Sequence, residues 1–176
     1  MKFEISEQES KQSKIPHEIF LTNLVGNHIL WFIASLGLVR SYWQPLAMVP
    51  VVSLLLLCYT LWRANKSKKS DPWYVMCHWQ LCAGRSRVFI LMLLLLGIIA
   101  LLGWVGFTYF GMKEVAVIAL IGGLGVLPVM VTVLVLILME SDALHQAAQY
   151  KLPDRMIKLY PNPDIKIIEE KTLIDS

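Results

Sequence analysis

Charge is what this chain has least of. Only 16% of its 176 residues are Asp, Glu, Lys or Arg, against about 25% in an ordinary soluble domain. Cysteine is also scarce. The three present, Cys58 in an apolar run and Cys77 and Cys82 in a polar interval, do not make the framework of an exported disulfide-rich domain, and reduced thiols are expected. No GxSxG elbow, HExxH pair, Walker loop or GxGxxG turn occurs, so no familiar catalytic or phosphate-binding constellation is present. The formal charge of +3 comes from residues that flank apolar runs, which points to anionic lipid and not to nucleic acid.

Hydrophobic sequence fills the place of charge: 56% of the residues are apolar and the mean hydropathy is +0.58. Four stretches, residues 19–39, 45–62, 88–107 and 115–139, contain no Asp, Glu, Lys or Arg. Each has the length needed to cross a hydrocarbon layer about 30 Å thick as a helix. The expected fold is an all-α membrane protein of four transmembrane helices arranged as two hairpins. It divides into a cytoplasmic N-terminal tail (1–18), a first hairpin (19–62), a basic cytoplasmic loop (63–87), a second hairpin (88–139) and a cytoplasmic C-terminal tail (140–176).

Fourteen of the sixteen lysines and arginines fall in the two tails and the central loop, leaving Arg40 and Lys113 for the other side. That asymmetry predicts both termini inside. The N-terminal segment is acidic and lacks the form of a cleaved signal. Arg63, Lys66, Lys68, Lys69, Arg85 and Arg87 are expected to meet lipid headgroups. Tyr42 and Trp43, Tyr59 and Trp62, and Trp104 with Tyr109 and Phe110 suit interfacial belts.

Within the central loop, Asp71 as a cap and Pro72 at the first turn predict a short helix ending near Gly84. Its Trp73, Val75, Met76, Cys77 and Trp79 share an apolar arc suited to the membrane interface. On that helix Cys77, His78 and Cys82 point in different directions. Only His78 and Cys82, four apart, share a side, so no metal is assigned. No cofactor is assigned either, since haem needs axial ligands from facing helices and only His28 lies in a span.

Two features inside the spans invite functional readings. Asn23, Asn27 and His28, with Ser35 further along, are intramembrane polar residues, and such residues line pathways or bond to a neighbouring helix. Gly97, Ala100, Gly103 and Gly106 recur at three-residue spacing and leave a groove on the third run. In the fourth, Ala119 and Gly123 are spaced for a close helix contact. Gly122, Gly123 and Gly125 precede Pro128, which removes a main-chain hydrogen bond, so a mid-membrane break is expected. The β-branched C-terminal segment, IKIIEEKTLI, reads as a strand that needs a partner's sheet.

These features favour a non-catalytic accessory, scaffolding or assembly subunit, whose partners are the bilayer, other membrane subunits and a cytoplasmic partner for the C-terminal tail. The general look, a small bundle with short external turns, is similar to accessory subunits of bacterial inner-membrane complexes, a likeness of architecture alone. Two alternatives follow from the same residues. One is an oligomeric channel or carrier with a path past residues 122–128. The other is an interfacial redox or lipid-modifying enzyme near His28 and His78.

Overall fold

A computed structural model describes residues 2–38, 41, 42, 44–163 and 165–169. Four long helices dominate it: α1 (Glu7–Leu38), α2 (Gln44–Ser70), α3 (Trp73–Phe110) and α4 (Glu114–Ala148). Each contains a stretch apolar and long enough to cross a membrane, so the chain is an α-helical, multi-pass membrane protein. A short helix, α5 (Asp154–Leu159), follows. Two strands, β1 (Lys2–Phe3) and β2 (Ile167–Glu169), pair antiparallel. Val39, Arg40, Trp43, Asp164 and residues 170–176 lie outside the described residues. So do the expectations placed on them: the external charge of Arg40, the belt position of Trp43, and the end of the strand-like tail.

The helices extend well past their apolar stretches. At about 1.5 Å per residue, the 38 residues of α3 reach about 57 Å, nearly twice the hydrocarbon thickness. The central interval is therefore not a loop with its own helix. Residues 63–70 complete α2, residues 73–87 begin α3, and only Asp71 and Pro72 connect them. Gly84 caps nothing, because a helix whose next residues also have packing partners has no reason to stop. Pro72, and not Asp71, is the residue before the first turn of α3. Val75, Cys77 and Trp79, expected at a lipid interface, are buried inside the protein.

The buried positions explain why the polar ends stay helical. On α1 they include the row Ser10, Ser13, His17, Phe20, Leu24 and Asn27, flanked by Pro16, Asn23 and His28. On α4 they are Val129, Val133, Leu136, Glu140, Ala143 and Ala147. Both rows alternate steps of three and four, the spacing of a seam between helices packed at a shallow angle. The seam runs without interruption from apolar into polar sequence, with serine and alanine keeping the helices close. One cluster at its centre joins Phe20, Leu24, Leu57, Phe89, Val129 and Val133.

The N-terminal segment, expected to be a loose tail, is ordered by the same packing. Ser6 caps α1 through a reciprocal pair with Glu9, which satisfies two otherwise orphaned main-chain donors. Phe3 is buried against Trp73, Tyr74, Cys77, Leu152 and Met156. The strand-like C-terminal segment finds its partner within the chain, as Lys2 and Phe3 pair with Glu169 and Ile167. The paired strands β1 and β2 and the 71–72 connection thus gather at one end of the bundle, the tail end. The connections after α1 and α3 lie at the other, the turn end, where Gly111 closes α3 in the left-handed conformation that glycine tolerates.

The break expected in the fourth run takes another form. Residues Ile121–Val126 form a π-helical turn, with the Leu127 N–H reaching back to the Gly122 carbonyl, and the rod continues through Pro128. A wider turn absorbs the missing proline donor without exposing a gap in the main chain. A longer π-helical stretch, Thr22–Trp31, occupies the middle of α1.

Candidate functional site

Three long helices bring their buried polar residues together at the tail end, just beyond the apolar stretches. His17 of α1, His78 and Cys82 of α3, and Glu140 of α4 are all completely buried. The Nδ1 of His17 lies 2.5 Å from Glu140 Oε2, and its Nε2 lies 2.9 Å from His78 Nδ1. Arg85 donates to the other carboxylate oxygen, Oε1, at 3.1 Å and to the Met139 carbonyl at 2.9 Å. Cys82 donates its thiol hydrogen to the Pro16 carbonyl at 3.3 Å. One ligand-type atom from each of His17, Cys82 and Glu140 falls within 4.8 Å of the other two.

The carboxylate of Glu140 thus joins two helices, with His17 Nδ1 at one oxygen and Arg85 at the other. The Nε2 of the same His17 ring faces His78 Nδ1, so the two imidazoles form a chain that ends at the carboxylate. His78 Nε2, at the far end of that chain, is a buried atom without a close hydrogen-bond partner among the described residues. Such an atom is unusual, because buried polar groups are nearly always paired. His78 and Cys82 precede the apolar stretch of α3. Burial holds the His78 imidazole well below its ordinary pKa, and neighbouring His17 adds to the effect. Burial likewise raises the Cys82 thiol, with Glu140 adding to it.

A lid of apolar and hydroxyl groups closes this cluster. Tyr74 stacks edge-on against His78, with ring centroids 4.8 Å apart, and donates to the Lys151 carbonyl at 3.1 Å. Ser10 ties α1 to the end of α4 through the Ala147 carbonyl. Beyond them lie Phe3, Leu152 and Met156.

The polar residues predicted inside the spans make a second group, and all four, Asn23, Asn27, His28 and Ser35, are buried. Asn23 donates to Ser53 Oγ at 3.1 Å, Asn27 to the Val49 carbonyl at 2.8 Å and to Asn23 Oδ1 at 3.2 Å. His28 Nε2 lies 2.8 Å from Ser53 Oγ. These bonds fasten α1 to α2. Beside His28 is a cavity of about 240 Å³ lined by apolar side chains that include Phe32, Val49, Leu96 and Val129.

The small residues divide by face. A side-chain carbon on Gly125 would come within 2.7 Å of Leu96, one on Gly103 within 3.2 Å of Val117, and one on Gly106 would collide with the Met112 sulfur. Gly103 and Gly125 let α3 and α4 approach each other, and Gly106 makes room for Met112 of the connecting turn. Gly97, Gly122 and Gly123 have nothing within 4 Å of that position, and Ala119 is exposed with them. The expected close contact through Ala119 and Gly123 is therefore not made within the chain.

The basic residues divide as well. Lys66, Lys68, Lys69 and Arg87 are exposed. Arg63 is held by Asp71 at 2.8 Å and lies 5.0 Å from the Trp79 ring centroid, and Arg85 points inward to Glu140. Neither arginine is available to headgroups in the way expected.

Read one segment at a time, the sequence sets His78 and Cys82 on one side of a helix and gives no role to His17 or Glu140. The signal that would have joined them is the three-and-four spacing that carries both His17 and Glu140 on the buried seams. No protein-family model, curated protein or solved structure matches the chain.

Proposed function

We propose that this protein is a non-catalytic assembly subunit of a larger membrane complex and receives a partner's transmembrane helix on the outer face of α4. One observation carries this: Ala119, Gly122 and Gly123 form a small-residue face that the chain's own helices leave open, while the neighbouring Gly103, Gly106 and Gly125 are filled. In lipid, helices associate through close van der Waals contact at such faces because the hydrophobic drive is absent. The π-helical turn at Ile121–Val126 sits at the same level.

Both tails are assigned to the cytoplasm, with the helices crossing as two hairpins in a bacterial inner membrane. The pairing of β1 with β2 at one end, together with the distribution of lysine and arginine, supports that orientation. The tail end, with exposed Lys66, Lys68 and Lys69, then rests against anionic headgroups.

The carrier alternative has less in its favour. The Asn23, Asn27 and His28 side chains spend their hydrogen bonds on α2, and the cavity beside them is apolar. An ion or polar solute would gain little there.

Cysteines introduced at Gly122 and Gly123 test the assembly role. In native membranes a short bifunctional thiol reagent is expected to join them to a partner in a defined adduct, and Gly123→Leu is expected to shrink the native complex. The reading is overturned if the chain solubilised in mild detergent migrates as a monomer and neither cysteine forms an adduct.

A further inference from the structure

We infer that His17, Cys82 and Glu140 form a binding site for one divalent transition-metal ion of the zinc class. This goes beyond the assembly role and does not depend on it. The three side chains come from three different helices, are completely buried, and present one nitrogen, one sulfur and one oxygen within 4.8 Å of one another. Imidazole, thiolate and carboxylate are the ligand types zinc takes, at about 2.0 to 2.3 Å. The set is too soft and too small in number for magnesium or calcium, which ask for six or more oxygens.

The surroundings have the form of an outer shell. A ligating histidine ordinarily gives its other ring N–H to a fixed acceptor, and a ligating carboxylate is itself hydrogen-bonded. Here His17 offers Nδ1 to the site while Nε2 faces His78 Nδ1 at 2.9 Å, and Glu140 offers Oε2 while Arg85 holds Oε1 at 3.1 Å. With a metal on His17 Nδ1, the ring proton of His17 stands on Nε2 and points at His78 Nδ1, which gives the ligating ring the fixed acceptor that an outer shell requires.

The balance is simple. Cys82 releases its thiol proton to solvent, and His17 keeps a ring proton on Nε2. The ion's two positive charges meet one thiolate and one carboxylate, and Arg85 remains paired with Glu140. His17 Nδ1 and Glu140 Oε2 already face each other at hydrogen-bond distance, and an ion between them would replace that hydrogen bond with two bonds to the metal. Three protein ligands leave the fourth corner of a tetrahedron to a solvent molecule.

The test uses the full chain with an affinity tag free of histidine, produced in zinc-supplemented medium and purified in mild detergent with metal-free buffers. Elemental analysis is expected to give about one zinc per chain. Cys82→Ser and Glu140→Gln are expected to retain at least about tenfold less, while Cys77→Ser, whose thiol packs beside Phe3 and Tyr74 instead, retains the full amount. Growth with cobalt is expected to give a near-ultraviolet thiolate-to-cobalt band that Cys77→Ser keeps and Cys82→Ser loses. Circular dichroism and elution volume report whether each variant is folded. Should Cys82→Ser and Glu140→Gln both unfold, the cobalt band in wild type and Cys77→Ser decides the matter. The proposal is overturned if folded wild type holds less than about a tenth of an equivalent of zinc and shows no cobalt band. It is equally overturned if folded Cys82→Ser keeps both.

Discussion

The tail end and the turn end of this bundle are held together by different forces. At the tail end α1, α3 and α4 meet through His17, His78, Arg85 and Glu140, four side chains whose bonds are directional and whose charges are paired. From mid-span toward the turn end α3 and α4 meet through Gly125 and Gly103, where the contact is shape alone. Polar cohesion is placed where helices leave the apolar stretch, and close main-chain approach is used where lipid takes water's place.

The comparison can be broken from either side. The largest effect is expected from Glu140→Ala, which leaves Arg85 and His17 facing each other in a sealed space. Removing one partner of a buried ion pair costs about 3–5 kcal/mol. It is expected to appear as a large drop in the thermal midpoint of the detergent-solubilised protein followed by circular dichroism. An unchanged midpoint would show that the tail end is not held by charge. Next comes Gly125→Leu, which forces α3 and α4 apart at Leu96. Overpacking of this kind costs about 1–3 kcal/mol, and the same melting experiment should show a smaller drop.

A milder loss is expected for Asn27→Leu, which gives up the bond to the Val49 carbonyl. Interhelical bonds in membranes average about 0.6 kcal/mol, so denaturation should shift only slightly. A shift as large as that of Glu140→Ala would make the Asn23, Asn27 and His28 group a second anchor equal to the first. The smallest effect is expected from Gly123→Leu. Nothing stands near that position within the chain, and the stability of the isolated protein should stay within about 0.5 kcal/mol of wild type. A clear loss there would mean that the open face is already in use.

The four spans were legible because hydropathy is a local property: a run such as residues 88–107 declares itself without reference to any other part of the chain. The tail end was not legible for the opposite reason. His17 and Glu140 are 123 residues apart and His17 and His78 are 61 apart, and a search for ligand spacing within one helix cannot see a site assembled from three. The helical directions of Cys77, His78 and Cys82 were read correctly: Cys77 does point elsewhere, into the cluster around Phe3. What failed was the step from charge to exposure. Lys, Arg and Glu near the end of an apolar run were expected to face water or lipid, and Arg63, Arg85 and Glu140 face protein instead. The repeat of small residues in the polar part of α1, Ser10, Ser13 and then His17 at steps of three and four, was the overlooked sign that the bundle continues there.

The pairing of β1 with β2 has a bearing on how the molecule is made. Residues 2–3 leave the ribosome long before residues 167–169 exist, so the first strand must wait, unzipped, through the threading of every helix into the bilayer. Phe3 meets Trp73, Tyr74 and then Leu152 as those residues are made, and the pairing with Ile167 and Glu169 is the last contact that synthesis can add to this end.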